Sequence, residues 1–259
     1  MRAKKSYGQH FLNNEAITQD IANSLRADRS FKNVMEIGPG RGMLTKYLLE
    51  KPYELLVVEA DRDMVSHLQK HFPALKERII AADFLKLSLT DFFPKESFGL
   101  IGNFPYNISS QILFKMLEYK DRIPEMVGMF QKEVAERVIA PPGNKIYGVI
   151  SVLIQAWYDG EYLFTVDNSN FDPPPKVQSG VIRLTRKNNA DLGCDAKLFR
   201  SIVKQSFSQR RKMLRNTMKS FLQGSERLNE PFFTQRPEKL SVEDYIQLTK
   251  WVEAYKKEQ

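Results

Sequence analysis

At 259 residues the chain is long enough for one large domain and a small one around a sizeable buried core. Hydrophobic residues make up 42% and charged residues 27%, an ordinary globular balance, and no stretch reaches the roughly 18 apolar residues of a membrane span. The net charge of +8, with a pI near 9.4, points to a polyanionic partner. A single cysteine, Cys194, excludes an intramolecular disulfide and suits a reducing cytosol, so a cytoplasmic protein is expected. It sits in a polar stretch without an evident His partner, which argues against a nucleophilic role. The basic N-terminus, Met1 to Leu12, is followed by no apolar core, so no signal peptide is expected.

In chain order, Val34 to Ile37 reads as a strand and Gly42 to Leu49 as a helix. Leu55 to Val58 is a second strand, with a helix from Asp61 to His71, and Ile79 to Ala82 is a third. Leu100 to Gly102 precedes a helix over Ser109 to Glu118, and Met126 to Phe130 precedes another near Lys132 to Ile139. Strands alternating with helices predict a mostly parallel sheet covered on both faces, with ligands at the carboxyl ends of the strands. After Pro141-Pro142-Gly143 the pattern changes: Val149 to Trp157 is a helix, and Tyr162 to Val166 pairs with Val181 to Thr185 around the Pro173-Pro174-Pro175 loop. A domain boundary is expected in the polar stretch from Arg186 to Asp195, giving domains 1–187 and 188–259. Beyond it the periodicity is helical, with Phe199, Ile202, Val203 and Phe207 on one face and Leu214, Met218, Phe221 and Leu222 on another. Ser241 with Glu243-Asp244 opens a last helix.

Glu36-Ile37-Gly38-Pro39-Gly40-Arg41-Gly42 leaves the first strand and enters the first helix. Glycines suit backbone that approaches a ligand closely or takes positive φ. A dinucleotide fingerprint wants a third glycine where Met43 stands. The spacing resembles motif I of class I methyltransferases instead, whose donor carries no phosphate. Glu59 ends the second strand, where a carboxylate can accept from both ribose hydroxyls. Asp83 follows the third, where it can accept from an adenine amino group. Asn103-Phe104-Pro105-Tyr106 follows the fourth and resembles the (Asn/Asp)-x-Pro-Tyr motif of enzymes that methylate exocyclic amino groups.

The chemistry accounts for these residue types. The Asn103 side-chain oxygen and the Phe104 carbonyl can hold both hydrogens of adenine N6, favour a pyramidal nitrogen and stabilise its developing positive charge. Tyr106 can stack on the base, which must leave its RNA neighbours to reach the pocket. Phe171, opening Phe171-Asp172-Pro173-Pro174-Pro175-Lys176-Val177, is expected to cover the base's other face. From Lys197 to Lys219 there are eight Lys or Arg and no Asp or Glu, a one-signed run that reads as a nucleic-acid footprint. Lys204, Arg210, Arg211, Lys212 and Arg215 are the candidate RNA contacts.

Over essentially its whole length the sequence resembles the KsgA-type small-subunit rRNA adenine dimethyltransferases, a class I S-adenosylmethionine-dependent family. Gly8-Gln9-His10-Phe11-Leu12 resembles the family's motif X; Gln209 to Asn216 and Arg236 to Ser241 resemble its tail signatures. The resemblance implies a Rossmann-like α/β fold, with a seven-stranded sheet that has one antiparallel strand and helices on both faces, and a small all-α C-terminal domain. It implies donor contacts from His10, Leu12, Gly38, Gly40, Glu59, Asp83 and Asn103, with Asn103, Phe104, Pro105, Tyr106 and Phe171 at the catalytic end. His10 stands where Asn is often found. Phe104 replaces a frequent Leu, which should matter little if only its carbonyl acts. The implied substrate is a pair of adjacent adenosines near the 3′ end of small-subunit rRNA in a partly assembled subunit, with a monomer acting and no metal or membrane involved. An erythromycin-resistance type enzyme acting on large-subunit rRNA shares the catalytic motifs, and the basic tail from Arg210 to Asn216 with the Arg236 to Ser241 stretch favours the small-subunit reading. A DNA adenine methyltransferase would need a further domain to read duplex sequence. A non-catalytic RNA-binding assembly factor is opposed by the intact motifs.

Overall fold

The computed structural model describes residues 4, 7–26, 31–188 and 191–258. The rest of the basic N-terminal stretch, and Asn189 of the expected linker, lie outside the described residues. The chain divides into two compact units, one of residues 1–135 and 159–186, the other of residues 136–158 and 187–259. The second unit thus takes in a stretch that the sequence pattern groups with the first domain.

In the first unit the short strand β1 (Phe11–Leu12) is followed by α1 (Glu15–Ser24), β2 (Asn33–Ile37), α2 (Thr45–Leu48), β3 (Glu54–Glu59), α3 (Arg62–His71) and β4 (Ile79–Ala81). Then come β5 (Phe98–Asn103), α4 (Ser109–Glu118), β6 (Glu125–Gln131) and α5 (Lys132–Ile139), which runs on into the second unit. After α6 (Val149–Gln155) the chain returns through β7 (Tyr158–Val166), β8 (Phe171–Asp172) and β9 (Ser179–Arg186). Seven strands form one sheet in the order β4-β3-β2-β5-β6-β9-β7. Pairing is parallel from β4 through β6, and β9 runs antiparallel to β6. The expected Rossmann-like methyltransferase sheet is therefore present. Strands β2, β5 and β6 are buried almost end to end, which is why they read as largely apolar runs, with Glu36 an exception within β2.

Strand order reverses between β2 and β5, leaving a crevice beyond their carboxyl ends. Two local features differ from the sequence pattern. The first helix is one turn only, Thr45–Leu48, because Gly42 has φ +82°, outside the helical region. The helix α1 gave no clear periodic signal, yet Asn14 caps it by accepting from the Ile17 amide at 3.1 Å.

The second unit is helical, built on α6, α7 (Ala196–Phe207), α8 (Leu214–Thr217) and α9 (Val242–Lys257). Phe199, Ile202 and Val203 are buried as their spacing predicts, and Ser241 and Asp244 form a reciprocal capping box on α9. The helix expected through Leu222 stops at Thr217, whose hydroxyl returns to the Leu214 carbonyl, and a 3₁₀ turn follows. Further 3₁₀ turns at Pro231–Thr234 and Pro237–Lys239 each begin on a proline, which fits a first turn and cannot lie deeper. Fully buried Tyr147 donates to the Leu240 carbonyl at 2.9 Å, and Tyr245 to the Pro237 carbonyl at 2.9 Å. These two bonds supply side-chain donors to the backbone carbonyls at either end of the Pro237–Lys239 turn. Tyr147→Phe should destabilise the protein by about 1–2 kcal/mol, because the Leu240 carbonyl loses its donor where water cannot reach it. Urea unfolding of the two proteins measures this.

Candidate active site

A cavity of about 760 Å³ opens at the β2–β5 crevice, and its walls come entirely from the first unit. The loop after β2 enters it with Gly38 at φ +68° and Gly40 at φ +54°. A Cβ on Gly40 would stand 2.9 Å from the Phe11 ring, so the loop and the N-terminal segment close on each other only because glycine is there.

Glu59 at the end of β3 is 6% exposed and takes a backbone N–H on each oxygen, from Gly40 at 3.0 Å and Asp61 at 2.9 Å. Burial raises its pKa and these amides pull it back down. The carboxylate thus holds the glycine loop in shape while lining the cavity. Asp83 lines the same cavity, half-buried, and caps the 3₁₀ turn Phe84–Lys86 by accepting from the Leu85 amide at 3.0 Å.

Glu36, the first residue of the glycine motif, has a role that the motif spacing does not announce. It lines the cavity at 1% exposure and accepts from the Thr45 hydroxyl at 2.7 Å. Burial pushes its pKa up to about 8, helped by the nearby Glu59 charge. The signal was legible: an acid inside the apolar run Val34 to Ile37 has to be protonated or partnered.

At the end of β5, the Asn103 amide donates Nδ2–H to the His10 backbone carbonyl at 3.0 Å. A carbonyl only accepts, so this bond fixes which end of the amide is which and leaves Oδ1 as the acceptor. Phe104 is 1% exposed, and its ring lies on two strand glycines. A Cβ would stand 2.8 Å from that ring at Gly102 and 2.3 Å at Gly128. The ring therefore anchors the turn whose carbonyl is the expected acceptor, a role beyond the carbonyl itself. Pro105 meets the glycine loop, its Cδ 3.7 Å from where a Cβ on Gly38 would be. Tyr106 is half-buried, with its hydroxyl 2.5 Å from Ser179 Oγ and its pKa raised by burial.

His10 lines the cavity, but its ring is occupied by protein. Nδ1–H donates to the Pro173 carbonyl at 2.8 Å, and the ring stacks on Tyr106 with centroids 5.3 Å apart. Leu12 also lines the cavity. Phe171 does not. It is 3% exposed and packs in the core with Leu12, Val166 and Val181. The reason is an antiparallel pair absent from the sequence pattern, β1 against β8, which sets Leu12 opposite Phe171 and Phe11 opposite Asp172.

The basic tail is not uniform. Lys204, Arg211 and Lys212 are exposed, whereas Arg210 is half-buried and donates to the Lys145 carbonyl at 2.5 Å. Arg215 is half-buried, and its Nε has no partner among the described residues. Among those residues there is also no group of three or more His, Cys, Asp or Glu able to hold a metal, and no helix long and apolar enough to cross a membrane.

Comparison with known proteins matches the family model for ribosomal RNA adenine dimethylase over residues 1–254. The chain belongs to that family. It is therefore a methyltransferase, an rRNA adenine dimethylase by family. It is 56% identical over 250 residues to the ribosomal RNA small subunit methyltransferase A of Parabacteroides distasonis, covering 96% of this chain and 93% of that one. The protein of the same name from Flavobacterium johnsoniae is 52% identical, covering 98% and 97%. Among solved structures, a dimethyladenosine transferase from Plasmodium falciparum superposes with a TM-score of 0.79 at 26% identity, covering 95% of this chain and 98% of that one. The 23S rRNA methyltransferase ErmE shares the fold at a TM-score of 0.69 and 22% identity, covering 93% and 99%.

Because the Glu36 pKa is raised on folding, the stability it lends is complete below the ordinary glutamate range near 4.5 and declines as pH climbs through about 8. Glu36→Gln keeps an acceptor for Thr45 and removes this titration. Its unfolding free energy should fall less than the parent's between pH 5.5 and 8.5, as read from urea melts across that range. Parallel pH dependence of the two proteins would refute a protonated Glu36.

Proposed function

We propose that the protein transfers methyl groups from S-adenosylmethionine to N6 of two adjacent adenosines near the 3′ end of small-subunit ribosomal RNA. The observation that carries this is the Asn103 amide, turned by the His10 carbonyl so that its acceptor end is left for a ligand at the cavity wall. Relatives that share more than half of its sequence, over nearly its full length, are named as small-subunit rRNA methyltransferases, which favours that RNA over the large-subunit alternative.

The cavity fits the donor. Its volume lies within the range of about 300–1,000 Å³ usual for small-molecule sites. Its lining carries the carboxylates of Glu59 and Asp83, suited to hydroxyl and amino donors, beside amide and basic side chains. Glu59 would accept from the ribose hydroxyls and Asp83 from the adenine amino group, with Gly38, Gly40 and Leu12 forming the close walls. When bound, S-adenosylmethionine supplies an electrophilic methyl group on a sulfonium.

The chain's own residues do the rest. Asn103 Oδ1 and the Phe104 carbonyl accept the two N6 hydrogens of the target adenine, so its lone pair is turned away from the ring and toward the methyl. As positive charge grows on N6, these two fixed dipoles stabilise it without having to reorganise. Tyr106, held by Ser179 and backed by His10, offers the base a stacking face. Phe171 lies in the core and is not part of the cavity wall. Arg211, Lys212 and Lys204 supply exposed cations for the RNA backbone. This reading has the protein working as a monomer in the cytoplasm, on a partly assembled small subunit, with no metal.

The test is to incubate the protein and labelled donor with unmodified small and large subunits in parallel and map the product. Dimethyladenosine at two adjacent positions of the small-subunit RNA is expected; label confined to large-subunit RNA would overturn the reading. Asn103→Ala should lower kcat on that RNA by at least about 100-fold while the protein stays folded. Separately, RNA affinity should fall steeply with salt, and the double variant Arg211→Ala, Lys212→Ala should flatten the slope of log K against log salt by about 1.5. An unchanged slope would remove these two cations from the RNA interface.

A further inference from the structure

Among the described residues three large hydrophobic side chains stand exposed, Tyr7, Val177 and Met213, and only Tyr7 also lines the catalytic cavity. It is 38% exposed. An aromatic ring left in water at the mouth of a binding cavity is a feature that a packed core does not require.

The local geometry places Tyr7 beside the Asn103–Tyr106 turn. Its N–H bonds the Lys4 carbonyl at 3.1 Å, and the next residue, Gly8, has φ +60°. A Cβ on Gly8 would stand 2.6 Å from Asn107 Oδ1 and 3.7 Å from the Tyr106 amide nitrogen. The chain just after Tyr7 therefore lies directly against the Asn107 side chain, with the Tyr106 backbone nitrogen next to it. The segment is held on its other side by Lys4, whose Nζ is 2.7 Å from both Asp61 and Asp63, and by Gln9, which donates to Asp61 at 3.0 Å. The Lys4 ammonium stands 5.9 Å from the Tyr7 ring centroid.

We propose that Tyr7 is the stacking platform for a second RNA base, that of the nucleotide next to the adenosine in the catalytic cavity. This rests on the proposed function, because it takes the substrate to be a pair of adjacent adenosines. Drawing one base out of a stacked strand strips its neighbour of a partner. Tyr106 cannot serve both bases, since His10 already covers one side of its ring, and Phe171 is buried. Stacking on an exposed aromatic side chain is how proteins hold single-stranded bases without reading their edges. That suits a site which must accept an unmodified adenosine in one round and its dimethylated neighbour in the next, because the purine face is the same in both.

The experiment measures methyl transfer by Tyr7→Ala and Tyr7→Phe on the small-subunit RNA, and repeats it with an abasic nucleotide next to the target adenosine. Tyr7→Ala should raise KM for RNA about tenfold, equivalent to ~1.4 kcal/mol, with kcat at saturating RNA, donor affinity and thermal stability unchanged. Tyr7→Phe should behave as wild type. The abasic RNA should cost wild type a similar factor and cost Tyr7→Ala no more. An unchanged KM in Tyr7→Ala, or losses that simply multiply in the abasic pairing, would overturn the assignment while wild type remains active. Wild type that transfers no methyl to this RNA would overturn the functional reading itself, and the second base site with it.

Discussion

A side-chain amide has a donor end and an acceptor end, and the end turned to a ligand decides what it can hold. In Asn103 that choice is made by a backbone carbonyl, His10 O, which takes the Nδ2–H at 3.0 Å. The other contacts of the N-terminal segment keep this carbonyl in place. Gln9 is tied to Asp61, the His10 ring to the Pro173 carbonyl, and Phe11 and Leu12 are paired across from Asp172 and Phe171. Asp61 is itself fixed as the cap of α3, so the segment is fastened to the end of β3 while it orients a residue at the end of β5. The Arg41 guanidinium lies 4.2 Å from the Phe11 ring centroid and pairs with Asp172 at 3.2 Å, joining the glycine loop to the same assembly. Segments distant in sequence therefore share one geometry, and a shift in any of them reaches the Asn103 amide.

The alternation of apolar runs and helical patterns carried most of the sheet, because a parallel strand buried on both faces is largely apolar. The carboxyl ends of those strands were equally legible: a polar residue that closes an apolar run, as Glu59 and Asn103 do, stands out. Contacts made by backbone were not legible. The pairing of β1 with β8 uses two residues a side and about 160 positions of separation, and neither Phe11-Leu12 nor Phe171-Asp172 has a periodicity to announce it. That pairing took Phe171 from the expected base-binding wall into the core. The Arg210 partner was equally hidden, since it is a carbonyl in the turn after α5 rather than a side chain that sequence would suggest. In the second unit, periodicity found the buried faces but overstated the helices, because Thr217 and the prolines break regular hydrogen bonding without disturbing the apolar spacing.

Glycine positions were legible only in part. The loop glycines announced themselves by spacing, but Gly102 and Gly128 lie within strands, where the Phe104 ring is one of the groups that a side chain would meet. That ring needs a flat bed between β5 and β6, and two adjacent strands supply it by omitting a side chain each at the same register, Gly102 opposite Gly128. The Ile37 carbonyl, 2.6 Å from a Cβ on Gly102, and the Phe130 ring, 2.6 Å from one on Gly128, hold the same two positions to glycine, so the requirement is shared.

The two buried acids of the cavity show how chemistry follows from hydrogen-bond supply. Glu36 and Glu59 are both almost inaccessible, and burial alone would protonate both. Glu59 receives backbone amides on both oxygens, whereas Glu36 receives one hydroxyl. Amide dipoles stabilise a carboxylate that they face, so the negative charge settles on Glu59 and the proton on Glu36. Two adjacent anions would repel each other; one anion and one neutral acid remove that repulsion. The glycine loop enforces this division, because the Gly40 amide reaches Glu59 only with Gly40 at its positive φ, a conformation that a side chain there would oppose.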